Sequence, residues 1–379
     1  MATPHQSDVF TPLRTVVMCF DGTGNEISKP HTNVYRIFQA SDVPGVLRFY
    51  HPGVNTLVNA SALYKGAKFS SWVRDSATGG SIRIAFLAGY QFLIDNAHDG
   101  DDIYIFGFSR GSFAARMLAG AVKMFGIPKP EHACVLPYIW QAYIGAALRP
   151  GAGKDESIFP YAGRIKRDFG RHVNFRFRFL GVWDTVASFG SIVAFKALPF
   201  TRHNEDIHIV RHAVSVDEHR SVFDLNKIET ITTQQDVKQV WFAGCHCDIG
   251  GGHAMEEAGL AMISFDWMIE EAKLNGLTFD PATLSHFAKE CASDPGAKFH
   301  ESMDPMYGFI EFLPIRKYDF EAKGEKFHAP HLFQRRIIDP NDTIHPTVYE
   351  RMEKVPGYRP KNVRPKSTLP TTPTAPSNP

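Results

Sequence analysis

Apolar residues fall along this chain in short blocks that stop abruptly at glycine, aspartate or asparagine. The first block, residues 15–20, is an unbroken run ended by Asp21-Gly22-Thr23-Gly24-Asn25. A run of this length predicts a strand buried on both faces, and such strands belong mainly to parallel sheets covered by helices. Further strands are expected at 46–50 and 103–106, at 175–183, which alternates before turning fully apolar, and at 237–244. Between them, 33–38 reads as a helix. Residues 81–98 carry Ile82, Phe86, Leu87, Tyr90, Leu93 and Ile94 at helical spacing. Further helices are expected from 112 onward and over 256–275. Peripheral helical segments are expected over 124–172, broken by Pro128, Pro130, Pro137 and Pro150. Residues 207–223, with His208, His212 and His219, show a mixed helical pattern. Residues 55–80 read as an irregular insertion, and 186–200 as a lid or a covering helix. Strands alternating with helices predict an α/β fold, a mainly parallel sheet flanked by helices with helical insertions. The expected organisation is a loose lead-in over 1–14, one domain over 15–354, and a Pro/Thr-rich tail over 355–379. That tail holds too little apolar surface to fold.

One block carries more than a fold prediction. Residues 101–116 read DDIYIFGFSRGSFAAR: two aspartates, an apolar run, then Gly107-Phe108-Ser109-Arg110-Gly111, then an alanine-rich helical pattern. Strand, sharp turn and helix with a serine at the apex form the nucleophile elbow of an α/β-hydrolase. The turn strains the serine backbone and brings strand and helix so close that positions 107 and 111 need glycine. Two more strand ends carry reactive groups. Asp184 follows 175–183, and His246 lies in Cys245-His246-Cys247-Asp248 after 237–244. The order Ser109, Asp184, His246 is that of an α/β-hydrolase triad. A serine hydroxyl needs an imidazole to take its proton, and a carboxylate to fix the imidazole tautomer and stabilise the imidazolium. The N–H of Arg110 and the backbone of Gly22 and Thr23 are the candidate oxyanion donors, each contributing about 2.7–4 kcal/mol to barrier lowering. Asp21 is expected to brace the 22–23 loop, and Asp248 to brace the glycine loop. Asp248 is also the rival acid, and His51, His253 and His345 are weaker base candidates.

Composition narrows the classes. The chain has 379 residues, 44% apolar and 12% aromatic, enough for a sizeable core. A formal net charge of +1 gives no reason to expect nucleic-acid binding. Five cysteines, odd in number and scattered, argue against a disulfide framework. The first residues have no signal core, and no apolar run is long enough to span a membrane. A cytoplasmic location follows as the expectation, with export without a cleaved signal left open. No cofactor or metal is expected: Cys245-x-Cys247 with His246 lacks the spacing and second ligand pair of a zinc site. The loop at 21–25 lacks the third glycine of a dinucleotide fingerprint. It also resembles the D-x-D-G-T loop of haloacid-dehalogenase-type phosphatases, but Cys19 stands at the nucleophile's position.

Seven ordered blocks extend the pattern: FDGTGN (20–25), TNV (32–34), HPGV (51–54), IYIFGFSRGSFAAR (103–116), GVWDTVASFG (181–190), RHAVSVDEHR (211–220) and WFAGCHCDIGGG (241–252). With these the chain resembles domain-of-unknown-function family 2235, α/β-hydrolases that include the catalytic part of one group of type VI secretion lipase effectors. The resemblance implies an esterase or phospholipase with Ser109, Asp184 and His246 as the triad. An ester or lipid is the implied substrate, with transient contact at a membrane surface. Asn55 stands where the family pattern has glycine, and His253 where it has an aromatic after the triple glycine. The chain is also shorter than those effectors and is not expected to carry their membrane-associated module. A fold-retaining binding protein without turnover is the alternative, followed by a metal-dependent phosphatase using Asp21, His246 and Asp248.

Overall fold

The computed structural model describes residues 14–22, 31–53, 80–147, 158–186, 198–229, 235–303, 311–312, 315–319, 324–328 and 332–365. Seven strands form one sheet: β1 (Arg14–Phe20), β2 (Val46–His51), β3 (Asp101–Phe108), β4 (Arg176–Trp183), β5 (Ile207–Ser215), β6 (Asp236–Phe242) and β7 (Thr343–Ile344). Their spatial order is β7-β6-β5-β4-β3-β1-β2, and every pairing in this sheet is parallel. The chain leaves β1 toward β2 on one side and builds β3 to β7 on the other. The order therefore reverses between β1 and β3, and the carboxyl ends of these strands flank the crevice where open α/β sheets bind ligands.

Helices cover both faces, which is why the strands read as continuous apolar runs. Val16, Met18, Phe20, Ile103 and Ile105 point into one core. That core is closed by α2 (Gly80–Asn96), α3 (Arg110–Phe125), α4 (Leu136–Ala147) and α5 (Ile158–Phe169). Val17, Cys19, Tyr104, Phe106 and Phe108 point into the other. It lies under α1 (Asn33–Ala40), α7 (Gly259–Leu274) and α8 (Pro281–Glu290), with the short α6 (His246–Gly250) preceding α7. On β4 the alternation slips, so that Phe177 and Leu180 share a face. Its register with β3 shifts between Ile103 and Tyr104. At the far edge α9 (Pro346–Lys354) adds Val348 and Tyr349 to a third cluster with Val214, Trp241 and Ile344.

Two expectations change. Residues 207–215 are a central strand, not the start of a helix. Arg211 and His212 mimic a polar helix face in the sequence, yet both are buried and paired. Arg211 holds Glu271 and Asp236 at 2.5 Å each, and His212 Nε2 accepts the Thr185 N–H at 3.1 Å. The chain also stays packed beyond residue 354. Tyr358 donates its hydroxyl hydrogen to Asp217 at 2.6 Å, Asn362 donates to the Val216 carbonyl at 2.9 Å, and Val363 is buried. A few well-placed side chains anchor 355–365 despite a Pro/Lys-rich composition. Thr23, Asn55, most of the 55–80 insertion and residues 187–197 lie outside the described residues. No helix among the described residues is long and apolar enough to cross a membrane.

Candidate active site

β3 runs into α3 through Ser109, whose backbone has φ 59° and ψ −124°. A non-glycine residue held at positive φ costs about 1–3 kcal/mol and persists only where its surroundings over-determine it. The surroundings are visible. A Cβ at Gly107 would sit 2.6 Å from Ser112 Cα, and one at Gly111 would sit 2.2 Å from the Phe20 carbonyl oxygen. The Ser109 N–H donates to the Trp183 carbonyl at 3.1 Å, tying the turn to the end of β4. The close approach at Gly111 also brings the end of β1, and hence Asp21 and Gly22, beside the elbow. Arg110 opens α3, so its N–H lies in the first turn, where the helix supplies no acceptor and its dipole favours negative charge.

One residue beyond β4, Asp184 is fully buried and also at positive φ, 39°. Its Oδ2 lies 2.6 Å from His246 Nδ1, and its Oδ1 accepts the Ser215 N–H at 3.0 Å. Arg336 grips the same carboxylate with two nitrogens, at 2.5 Å and 3.2 Å, while donating to the Phe223 carbonyl at 2.6 Å. Burial pushes the Asp184 carboxyl up, but the Arg336 charge and the His246 contact outweigh it and hold the group well below the usual carboxylate range. His246 opens α6 after β6. Its ring is buried between Phe108 and Phe223, at centroid distances of 4.7 Å and 4.8 Å. Burial lowers its pKa, opposed by the hydrogen bond and charge of Asp184. An ionised Asp184 assigns the proton to Nδ1, which leaves Nε2 with its lone pair.

Asp184 and His246 are thus joined directly. Ser109 adjoins them through Phe108, but no hydrogen bond links its hydroxyl to the imidazole, and among the described residues its hydroxyl makes none. Asp21 accepts from the Gly22 N–H at 2.6 Å and from the Thr32 and Tyr50 hydroxyls at 2.7 Å each. It braces its loop, and in doing so it engages the Gly22 N–H. Asp248 accepts from the Cys245 N–H at 3.1 Å and pairs with His300 at 2.6 Å, not with His246. His345 caps α9, and His51 is tied through its carbonyl to the Asp21 N–H at 3.0 Å. Burial pushes the Cys247 thiol up to about 12 and the Cys245 thiol higher still, so neither offers a thiolate near neutral pH. Arg336 is the residue the sequence did not reveal: it lies 152 positions from Asp184 in a segment without a readable pattern. Glu218, fully buried and paired with Arg220 at 2.7 Å, accepts the His246 N–H at 3.3 Å. It sits inside the RHAVSVDEHR block.

A parallel sheet with a strained serine at a strand–helix turn, and a buried carboxylate–imidazole pair on neighbouring loops, defines an α/β-hydrolase-like protein. Residues 14–271 match the family described as T6SS, phospholipase effector Tle1-like, catalytic domain, and the chain belongs to that family. It is also similar to "Uncharacterized protein YEL023C" of Saccharomyces cerevisiae, at 28% identity over 218 residues, which is 55% of this chain and 32% of that protein. Among solved structures, an uncharacterized protein from Pseudomonas aeruginosa shares 17% identity at a TM-score of 0.41, over 72% of this chain and 48% of that one. A Tle1 effector bound to the VgrG spike of the type VI secretion system shares 18% at 0.30, over 65% and 52%. The chain spans between a third and about half the length of these relatives.

Proposed function

We propose that this protein is a phospholipase-type serine hydrolase cleaving carboxylic esters of lipids, with Ser109 as nucleophile, His246 as base and Asp184 as the orienting acid. The hydrolase unit is taken as residues 15–354 with the packed extension to 365. The observation that carries the reading is the buried 2.6 Å contact between Asp184 and His246, on the loops beside the elbow. In the reaction the Ser109 hydroxyl attacks the ester carbonyl as His246 Nε2 takes its proton. Asp184 stabilises the imidazolium. The Arg110 N–H and the 22–23 loop receive the developing oxyanion. The Gly22 N–H takes part once it turns from Asp21, and Thr23 offers the adjacent amide. His246 then returns the proton to the leaving alcohol, and a water activated by His246 releases the acyl group from Ser109.

The family's description supports a phospholipid substrate class. The phosphatase reading finds no support, because Asp21 and Asp248 serve separate hydrogen-bond sets away from His246. A hydrolysis panel of soluble esters and phospholipid vesicles, run beside Ser109→Ala, tests the proposal. Release of fatty acid by the wild type and its loss in the variant is expected. Equal turnover by both, or none by a well-folded wild type, would reject it and favour a binding role.

A further inference from the structure

We infer that Asp248, His253 and His300 form a site for a divalent transition cation of the zinc class, separate from the hydrolytic residues. Among the described residues they are the one group of three or more His, Cys, Asp or Glu side chains whose ligand atoms converge, all within 4.8 Å of one another. Asp248 Oδ1 lies 2.6 Å from His300 Nδ1 and 3.8 Å from His253 Nε2. Tetrahedral coordination at about 2.0–2.1 Å sets neighbouring ligand atoms roughly 3.4 Å apart, so sub-ångström shifts suffice.

Two independent features point to a cation. The Nε2 of His253 is buried without a hydrogen-bond partner, an orphaned donor atom beside a carboxylate. The far nitrogen of His300, Nε2, lies 3.1 Å from Glu257 Oε2, and Glu257 is itself held by Lys298 at 2.5 Å. A carboxylate behind a ligating histidine fixes its tautomer and strengthens it as a ligand. Here it would keep the proton on Nε2 and leave Nδ1 for the metal. The rings of His253 and His300 are stacked at 3.6 Å and must fan slightly apart to share an ion. Two imidazoles and one carboxylate suit zinc, cobalt or nickel over magnesium or calcium.

The site's place in the fold suggests its use. The Cys245 thiol donates to the His300 carbonyl at 2.9 Å, and the His300 N–H to Asp248 Oδ2 at 3.3 Å. An ion here would pin the chain at 300 onto α6, whose first residue is His246. This is a structural role.

The test uses the tag-free full chain, treated with chelator, desalted and titrated calorimetrically with Zn²⁺ alone. Co²⁺ absorption serves as a second readout. One equivalent of zinc should bind, with no heat from Mg²⁺. Cobalt should show the strong visible bands of a low-coordinate, nitrogen-ligated ion. His253→Phe and His300→Gln should each weaken binding at least about tenfold. His253→Phe keeps an aromatic ring against His300 and decides the matter if the other variant misfolds. Absence of saturable one-to-one binding, a hexa-aqua-like cobalt spectrum, or unchanged affinity in a folded His253→Phe would overturn the inference.

Discussion

Replacing Arg336 by glutamine removes the guanidinium that grips Asp184 and leaves the carboxylate with His246 and the Ser215 N–H. Asp184 is fully buried and the Arg336 side chain is only 9% exposed, so the pair lies in a poorly screened environment. Breaking a buried pair by removing one partner costs about 3–5 kcal/mol of stability. The effect on the reaction has a definite sign. Arg336 and a protonated His246 flank one carboxylate and repel each other. Two like charges held on one carboxylate at an effective dielectric of about 20 repel by about 2–4 kcal/mol. Removing Arg336 relieves it, raises the His246 pKa, and keeps the proposed base protonated to higher pH. The acid limb of kcat/KM therefore moves to higher pH. Since about 1.4 kcal/mol is a factor of ten, the variant at a pH on that limb should show roughly a tenth or less of its own plateau rate where the wild type is near its plateau. A pH series of kcat/KM on a soluble ester, with denaturant unfolding in parallel, reads both effects. Arg336→Lys should restore part of the wild-type profile. An acid limb that stays in place or moves to lower pH in Arg336→Gln would show that the Arg336 charge does not act on His246.

Three further outcomes are expected. Gly111→Ala drives a methyl into the Phe20 and Asp21 carbonyl oxygens, at 2.2 Å and 2.5 Å, and should cost about 3–5 kcal/mol in denaturant unfolding together with loss of activity. Ser109→Gly relieves the positive-φ strain and should raise stability by about 1 kcal/mol while abolishing ester cleavage, measured by the same unfolding series and a turnover assay. His212, buried with Nε2 accepting from Thr185 and Nδ1 donating to Gln239, is lowered to about 3 by burial first and then by the Arg116 charge. A depressed folded pKa contributes stability above the unfolded value, about 6.5, that is lost as pH falls toward 3. The total over that window is on the order of 5 kcal/mol, and His212→Gln should flatten the fall in stability across it.

The elbow was legible because strand, glycines, serine and helix are contiguous and each has a local steric reason. Asp184 and His246 were legible for a related reason: both follow strands that turn fully apolar toward their carboxyl ends, and strand ends in a parallel sheet share one edge of the molecule. Asp21 was readable as a brace, but its capture of the Gly22 N–H was not, since that depends on the carboxylate rotamer. β5 was misread because a strand buried on both faces loses its alternation, and buried, paired Arg211 and His212 look like a solvated helix face. Arg336 left no trace in the pattern. Its role arises only when a segment 152 residues downstream folds back over Asp184, beyond the 14–271 span that the family describes. The packing of 355–365 was hidden in the same way. Tyr358, Asn362 and Val363 find partners that composition does not reveal.

The central claim is that Ser109 is a nucleophile activated by His246 and Asp184. Its most direct test is fluorophosphonate labelling of the folded wild-type protein, with the adduct mapped by peptide mass spectrometry. A single phosphonylated residue, Ser109, is expected, with labelling slowed about 10⁴-fold in Asp184→Asn, where the imidazole loses its correct tautomer. An adduct on another residue, or no adduct on a folded wild-type chain, would contradict it.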